Sequence, residues 1–371
     1  MSGGESTTAQ LITLAVLPKV SGSLSMLGSG FIVLEILRDR KKRDQMYHRL
    51  LLGMSCLDIV VSFFMAMSTW LAPSESDILW AVGTQTTCQI QAFMTQFAYS
   101  SLSYNLGLAI YYLLVVGHSK RDRQLHTIEV AAHCCSLLLG LSLAIAGLAL
   151  GVYRPTTLWC SNATGHSFRS SVVEHEIHRD WFFMFAVGAV LWIIIFCVTF
   201  VMIRVFCIVR QQERHVQKWR HGSLYAANKL TRQVAAQAFW YSASFYVTWI
   251  VPTIGQILMA TRGSIPFGVR VVFSISMPCQ GLLNSLVYMR PRYKHILRAC
   301  PEMSRFSAMK HVIFKTLVFW KEDEDESASV DDGMNPAAEM EVLDEREGEG
   351  NGEVESSGPS GTPKISIAVT T

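Results

Sequence analysis

The sequence predicts an all-α membrane protein: a seven-transmembrane helix bundle with a short amphipathic helix after the seventh span and a disordered acidic carboxy-terminal tail. Half of the 371 residues are hydrophobic and only 16% are charged, against roughly 25% in soluble domains. Seven apolar runs approach or exceed the roughly 20 residues that cross a bilayer. Basic residues concentrate in alternate connections between these runs. A soluble enzyme and a nucleic-acid-binding protein are therefore both disfavoured.

The bundle occupies residues 14–289, after an extracellular segment of residues 1–13. Each apolar run is assigned to helix, because an open sheet edge in lipid leaves backbone groups without hydrogen bonds. Spans 1 to 7 cover residues 14–37, 50–71, 89–116, 128–152, 181–209, 234–260 and 268–289.

The distribution of basic residues predicts the orientation. Connections on one side of the bundle carry 19 Lys and Arg, and those on the other side carry 4. Because the cytosolic side is the basic one, we expect a multi-pass plasma-membrane protein with its amino terminus outside and its carboxyl terminus in the cytosol. Span 1 is expected to act as its own signal anchor, since residues 2–10 carry no basic residue.

Two of the nine cysteines fall on the predicted outer face. Cys88 lies at the start of span 3 and Cys160 in the longest outer loop, so a disulfide between them would hold that loop over the mouth of the bundle. The alternative is two free thiols, which oxidise readily in that compartment. Asn162 begins an Asn-Ala-Thr sequon on the same side, which makes the protein a candidate glycoprotein.

Asp58 lies at the centre of span 2. A carboxylate at that depth is expected to face the bundle interior and to be functional; the alternative is a structural Asp satisfied by Asn or Ser neighbours. Candidate partners are Asn105 in span 3 and Gln280, Asn284 and Ser285 in span 7. Such a cluster could hold a sodium ion or a proton.

Prolines predict hinges in spans 6 and 7. Pro252 interrupts the backbone bonding of span 6, and Phe245 and Trp249 stand one turn apart just before it. Pro278 supplies a second hinge, in span 7. Two hinges that open the same face favour a conformational switch over a rigid pore; the alternative is bulky core filler beside an incidental kink.

Residues 290–320 predict segments at the membrane surface. Residues 291–300 place apolar and basic side chains on opposite faces, which is typical of a short amphipathic helix on the inner leaflet. Cys300 at its edge is either palmitoylated or a plain packed thiol. Residues 306–320 form a second basic and aromatic stretch, too short to span. Residues 321–371 hold 3 basic and 15 acidic residues, a net charge of −12, and predict disorder.

Together these features resemble a G-protein-coupled receptor, over about residues 10–300. Within that superfamily the chain is most similar to the cyclic-AMP-receptor-like branch, grouped near the secretin and adhesion receptors of family 2. That branch carries a Gln-Gly followed by Asn and an aromatic residue, as Gln280, Gly281, Asn284 and Tyr288 do here. The resemblance implies cell-surface receptor signalling, an unknown extracellular ligand, a heterotrimeric G protein as partner, an arrestin-like adaptor and no cofactor.

The chain departs from the rhodopsin-like pattern at three places, and we therefore reject that class. Span 3 has no Glu-Arg-Tyr or Asp-Arg-Tyr triplet in its last segment, Ile110-Tyr111-Tyr112-Leu113-Leu114-Val115-Val116. Span 6 has Trp249-x-x-Pro252 rather than Trp-x-Pro. Asn284 is followed by serine where that class has proline.

Other seven-helix classes lack their key residues. A retinal pump needs a lysine in span 7, and residues 268–289 contain none. A zinc hydrolase needs several histidines inside the bundle, where only His133 is available, so neither a metal site nor an enzyme is predicted. The remaining alternative is a small-solute or ion channel or carrier that uses Asp58.

Overall fold

The computed structural model describes residues 7–118, 124–162, 174–219 and 222–318. Within these residues the chain forms eleven α-helices and one small hairpin. The helices are α1 Thr8–Arg38, α2 Arg40–Arg43, α3 Met46–Met67, α4 Gln85–Thr95, α5 Ala98–His118, α6 His126–Ala149, α7 Glu174–Trp219, α8 Gly222–Arg262, α9 Phe267–Ser276, α10 Gln280–Ala299 and α11 Arg305–Val318. Strand β1 Tyr153–Arg154 pairs antiparallel with β2 Ser161–Asn162.

The predicted fold class is confirmed. Six stretches are long and apolar enough to cross a membrane, and α9 with α10 supplies a seventh if this pair, bent by 51°, is one span. Spans 1, 2, 4, 5 and 6 correspond to α1, α3, α6, α7 and α8. Span 3 differs from the expected single helix, because the chain leaves helical geometry briefly between α4 and α5.

The bundle has two chemically different ends. We call the end that carries Cys88 and Cys160 the disulfide end. The opposite end, which holds α2 and the junction of α10 with α11, is called the basic end. Separate apolar cores lie at the basic end, in the middle and at the disulfide end. The outward sides of the spans expose large apolar side chains, as expected of surfaces that face lipid.

Small residues on α1 allow close packing against the seventh span. Ser25 accepts a hydrogen bond from the Gly281 backbone N–H at 2.9 Å. At Gly28, an added Cβ would lie 2.9 Å from the Cα of Leu282. The partner of this small-residue stripe is therefore α10, and the two backbones approach too closely to admit larger side chains.

The bend in the seventh span coincides with Pro278, which lies in the three-residue break between α9 and α10. The Pro278 carbonyl accepts a bond from the Ser62 hydroxyl at 3.3 Å, and the Ser62 hydroxyl also donates to Ser25 at 2.9 Å. Neighbouring helices thus satisfy backbone groups that the break releases, which is what makes such a break tolerable in a membrane.

The end of the seventh span differs from the sequence prediction. Helix α10 runs without interruption through Pro291 to Ala299, so no separate amphipathic helix begins after Met289. Packing explains the difference, because Tyr293 and Ile296 lie against the apolar core of the basic end rather than on a free apolar face. The predicted disordered tail, residues 321–371, lies outside the described residues.

Candidate functional site

Asp58 is the centre of a buried polar cluster that joins three helices. Its side chain on α3 accepts a hydrogen bond from the Ser101 hydroxyl of α5 at 2.6 Å. Its other oxygen accepts from the Asn284 amide of α10 at 3.0 Å. Both carboxylate oxygens therefore have a donor, and the carboxylate faces the bundle interior with 3% of the residue exposed.

The four partners suggested for Asp58 have different roles in the structure. Asn284 contacts the carboxylate directly. Asn105 donates instead to the Ser101 carbonyl at 2.9 Å. Ser285 donates to the carbonyl of Leu282 one turn back. The Gln280 amide nitrogen is buried without a hydrogen-bond partner in the described part of the chain.

Asn284 also connects the cluster to α8. The Ser244 hydroxyl lies 3.3 Å from the Asn284 carbonyl oxygen and donates to the Tyr241 carbonyl at 2.9 Å as well. Rotating α8 therefore changes the hydrogen bonding of Asn284, and through it the environment of Asp58.

Phe245 and Trp249 lie on the side of α8 that faces the middle core, and each is 1% exposed. The Trp249 ring is 5.5 Å from the ring of Tyr99 on α5. Phe245 lines a cavity of about 10 Å³ between α5, α7 and α8, which is room for one water molecule. Helix α8 continues through Pro252, and Thr253 donates to the Trp249 carbonyl at 3.0 Å.

At the basic end, the Glu35 carboxylate contacts three polar side chains. Its carboxylate accepts from the Tyr288 hydroxyl at 2.9 Å and pairs with Lys42 at 2.8 Å. Arg292 also contacts the same oxygen. The Glu35 side chain is only 6% exposed, so this junction of α1, α2 and α10 is largely shielded from water.

A tyrosine cluster lies beside this junction and joins α3, α5 and α8. We define it as Tyr47, Tyr111, Tyr112 and Tyr241. The Tyr47 and Tyr241 hydroxyls are 2.9 Å apart and share one hydrogen bond. The rings of Tyr111 and Tyr112 have centroids 6.3 and 6.1 Å from that of Tyr47, so the three helices meet through aromatic packing and one hydroxyl pair.

Two polar contacts join helix α6 to α3 and α5. Arg49 on α3 makes a two-pronged ion pair with Glu129, in which Nη2 lies 2.7 Å from Oε2. His133, one turn further along α6, shares a hydrogen bond with the Tyr104 hydroxyl at 2.8 Å. In the described residues no group of three or more metal-binding side chains surrounds His133 or any other position.

The disulfide end is organised around Gln91. Cys88 and Cys160 are bonded to each other. The Gln91 carbonyl oxygen accepts from the Cys160 backbone N–H at 2.9 Å, and its amide donates to the carbonyls of Phe64 and Ser68. One buried glutamine thus connects the loop that carries Cys160, α4 and the end of α3.

The hairpin of the same loop is anchored at both sides. Arg154 pairs with the buried carboxylate of Asp180 at 3.2 Å. The Tyr153 hydroxyl donates to the Ala144 carbonyl at 2.8 Å. Burial raises the pKa of the Tyr153 phenol above its ordinary value, so the hydroxyl keeps its proton and stays a donor.

Two predicted modification sites occupy different positions. Asn162 lies in β2, while the other two residues of its sequon lie outside the described residues. Cys300 is exposed at the end of α10.

Sequence comparisons find no relatives, since no protein-family profile and no curated protein matches the chain. Structural comparison finds a match in fold. The crystal structure of squid rhodopsin matches with a TM-score of 0.59 at 14% identity, over 95% of this chain and 94% of that one. The chain therefore has the seven-helix fold that squid rhodopsin also has.

Proposed function

We propose that this protein is a plasma-membrane G-protein-coupled receptor that converts binding at the disulfide end into opening of the basic end toward a heterotrimeric G protein. The observation that carries the proposal is the hydrogen bonding of Asn284. It contacts Asp58 and lies within reach of Ser244, so one side chain couples α3, α8 and α10. The shared fold with squid rhodopsin supports the same class.

The mechanism is a population shift between two helix packings. A ligand can shift the equilibrium between the two packings only by the difference between its binding free energies for them. The contacts that hold the basic end closed include the Tyr47–Tyr241 hydroxyl pair, the Tyr288–Glu35 bond, the Arg292–Glu35 ion pair and the bond from the Gln237 amide to the Val287 carbonyl. Each hydrogen bond contributes about 1 kcal/mol, or somewhat more where the acceptor is charged. A ligand opens this end only if its preference for the open packing exceeds the summed free energy of these contacts.

Two hinges would allow the movement. Pro252 lies within α8, and Pro278 occupies the bend between α9 and α10. Turning α8 below Pro252 repacks Phe245 and Trp249, next to the small cavity that Phe245 lines. Turning α10 at Pro278 moves Asn284 and Tyr288 together.

Charge supports the proposed orientation. The basic connections at residues 38–49 and 210–232 each hold six Lys and Arg, which favours a cytosolic position for the basic end. These connections would flank the G-protein cavity. They would also bind anionic membrane lipid, at about 1 kcal/mol per basic residue near the surface.

The tyrosine cluster supports a branch outside the rhodopsin-like class, most similar to the cyclic-AMP-receptor-like receptors of family 2. Tyr111 and Tyr112 occupy the end of α5, where no Glu-Arg-Tyr triplet is present. They pack with Tyr47, which in turn bonds Tyr241 of α8. In this branch assignment, Tyr47 of the second span links the third and sixth spans through ring packing and a hydroxyl pair, in place of an ionic contact.

We further propose three modifications or partners that fit this orientation. Asn162 is glycosylated on the outer face, Cys300 is palmitoylated at the inner leaflet, and an arrestin-like adaptor binds the phosphorylated carboxy-terminal tail. None of these needs a cofactor, and the proposed activity is not enzymatic.

A nucleotide-exchange assay with a panel of purified G proteins and a ligand library tests the proposal. The reconstituted protein should accelerate exchange on at least one G protein, and the Asn284→Ala variant should change that rate at equal surface expression. Ser285→Ala is the matched control, because its hydroxyl donates within its own helix, to the Leu282 carbonyl. Solute flux through protein-containing vesicles, with no exchange on any G protein, would favour a channel or carrier instead.

A further inference from the structure

Arg270 is a partly buried cation at the disulfide end. It lies in the first turn of α9, where its backbone N–H donates to the Pro266 carbonyl at 3.1 Å. The Nε atom of its guanidinium is shielded from solvent and has no hydrogen-bond partner in the part of the chain that the structure describes. A charged donor hidden from water without an acceptor is costly, so stability does not explain this residue.

Helix α9 directs Arg270 toward the interior of the bundle. Val272 and Ile275 are 50% and 41% exposed and mark the outer face of the helix. At about 100° per residue, Arg270 stands roughly opposite both. Ser274, one turn further along, is fully buried, and its carbonyl accepts from the Ser21 hydroxyl of α1 at 3.1 Å. The guanidinium therefore leaves α9 on its inward side.

The side chains next to Arg270 on the inward side of α9 are apolar. Phe267 and Val271 pack against the middle core. The Phe273 ring stacks on the ring of Trp159, with centroids 5.4 Å apart, and Trp159 belongs to the loop that the disulfide holds in place. A ligand that reached Arg270 would thus meet one cation beside aromatic and aliphatic groups.

The acids whose side chains the structure describes at this end do not neutralise Arg270. Asp180 is already paired with two other arginines, at 3.2 and 3.6 Å. Glu75 and Asp77 are exposed in the loop before α4. The first turn of a helix also disfavours a cation, because its N–H groups carry partial positive charge. An anion from outside the chain would relieve both costs.

We propose that Arg270 binds the anionic group of the extracellular ligand, and that this ligand is a monocarboxylate with an apolar body. A carboxylate fits because its two oxygens can accept parallel N–H bonds from one guanidinium. One arginine balances one negative charge, whereas a phosphate monoester carries about −1.5 to −2 and would leave charge unpaired beside apolar side chains. The inference rests on the proposed function, since it names the ligand class of that receptor.

Direct binding to the full chain, without any G protein, tests the proposal. The probe is tritiated 3-phenylpropanoate, and the protein is held in phosphatidylcholine nanodiscs. Empty nanodiscs give the background from partition into lipid. The neutral 3-phenylpropanamide and the dianionic phenyl phosphate are the competitors, and thermal unfolding of the ligand-free protein is measured on the same samples.

We expect saturable binding in the millimolar range or tighter, with both competitors at least about tenfold weaker than unlabelled 3-phenylpropanoate. Arg270→Gln should lower the affinity for the probe about tenfold or more, because it removes hydrogen bonds to a charged acceptor. Arg270→Lys should fall between the two, since an ammonium keeps the charge but not the planar fork. Arg262→Gln is the matched control, because Arg262 is exposed at the same end, and it should leave the affinity unchanged.

The ligand-free Arg270→Gln variant should melt at the same temperature as the parent protein or higher, because it removes an unpaired and partly buried charge. A lower melting temperature would overturn the proposal, since the chain itself would then be using the guanidinium.

Binding of the probe that does not saturate, that is equal in Arg270→Gln, or that the amide displaces equally well would overturn the proposal too, even with nucleotide exchange intact. Arg270-dependent binding without exchange on any G protein would count against the receptor proposal alone.

Discussion

The hydroxyl of Tyr288 and the carboxylate of Glu35 meet at 2.9 Å, and this contact ties the seventh span to the first. Arg292, one turn further along α10, contacts the same carboxylate. Because both residues belong to one helix and both depend on one acid, α10 cannot turn at the basic end without breaking both contacts together.

The first prediction concerns this junction. Tyr288→Phe removes the hydroxyl and keeps the ring, so it should weaken the closed arrangement and raise basal nucleotide exchange. About 1 to 2 kcal/mol of lost bonding to a charged acceptor corresponds to roughly fivefold to thirtyfold in the two-state equilibrium. Purified protein in nanodiscs with a coupled G protein gives the rate.

Its matched control is Tyr153→Phe, which deletes one hydroxyl bond at the disulfide end. That variant should leave basal exchange unchanged. The same rise in both variants would mean that general loosening, and not the Glu35 junction, sets the basal rate.

The second prediction concerns the charge of Asp58. Asp58→Asn replaces a carboxylate that accepts two bonds with an amide that faces the Asn284 amide. It should change basal exchange or agonist affinity while surface expression stays near normal. Radioligand or exchange titration measures agonist affinity and basal exchange, and flow cytometry measures surface expression.

Exchanging the carboxylate of Asp58 with the amide of Asn284 gives a stricter test. The double variant Asp58→Asn with Asn284→Asp restores one carboxylate and one amide in the same contact, and should recover part of the lost function. Collapse of expression in the single variant, with no recovery in the double, would make Asp58 a structural residue.

The third prediction concerns the Tyr47–Tyr241 hydroxyl pair, which joins α3 to α8. Tyr47→Phe and Tyr241→Phe should each raise basal exchange a few-fold, and the double variant should add little to either. Such non-additivity is expected when two changes remove one shared bond. Fully additive effects would show that the hydroxyls act through separate partners.

The fourth prediction concerns the disulfide end. Cys160→Ser should lower thermal stability and agonist affinity, because the loop loses its covalent attachment to α4; cystine removal costs roughly 2–5 kcal/mol in small secreted domains. Gln91→Ala should show a smaller loss of the same kind, since it removes three hydrogen bonds to two other segments. Non-reducing peptide mapping should show Cys88 linked to Cys160, and free thiols at both would contradict the pairing.

The fifth prediction concerns the acidic tail, residues 321–371. Its net charge of −12 stands against 19 basic residues on the predicted cytosolic side, and attraction of this kind is screened beyond about 8 Å at physiological salt. Truncation after Trp320 should raise basal exchange, more so at low ionic strength. An unchanged rate at both salt levels, with matched expression, would leave the tail without a role in coupling.

Apolar run length predicted most of the fold, because the bilayer imposes helix and length on every span. The Cys88–Cys160 disulfide was also predictable, since only these two cysteines fell on the outer face. The interruption of the third span at residues 96–97 was not predictable, because nothing in its composition distinguishes it from a continuous helix. Nor was the passage of α10 through Pro291, which tertiary packing of Tyr293 and Ile296 supports.

For the site, sequence identified the inward-facing residues better than their partners. Asp58 and Asn284 stood out because charged and amide groups are costly in lipid. Ser101 did not, since serine is common within spans and only the folded bundle shows which one reaches a carboxylate. Glu35 was missed because an acid beside a basic connection resembles a solvated charge, although Tyr288 and Arg292 at one-turn spacing could have indicated an acidic partner.

The bond between Ser25 and the Gly281 backbone also bears on how the chain is made. The two residues are 256 positions apart, so α1 enters the membrane long before its packing partner has been synthesised. During that interval Ser25 and Gly28 of α1 lack the helix against which they finally pack. The first span is thus completed by the last one: in a chain interrupted before α10, Ser25 could still accept from Ser62 of α3 but would lack the bond from the Gly281 backbone.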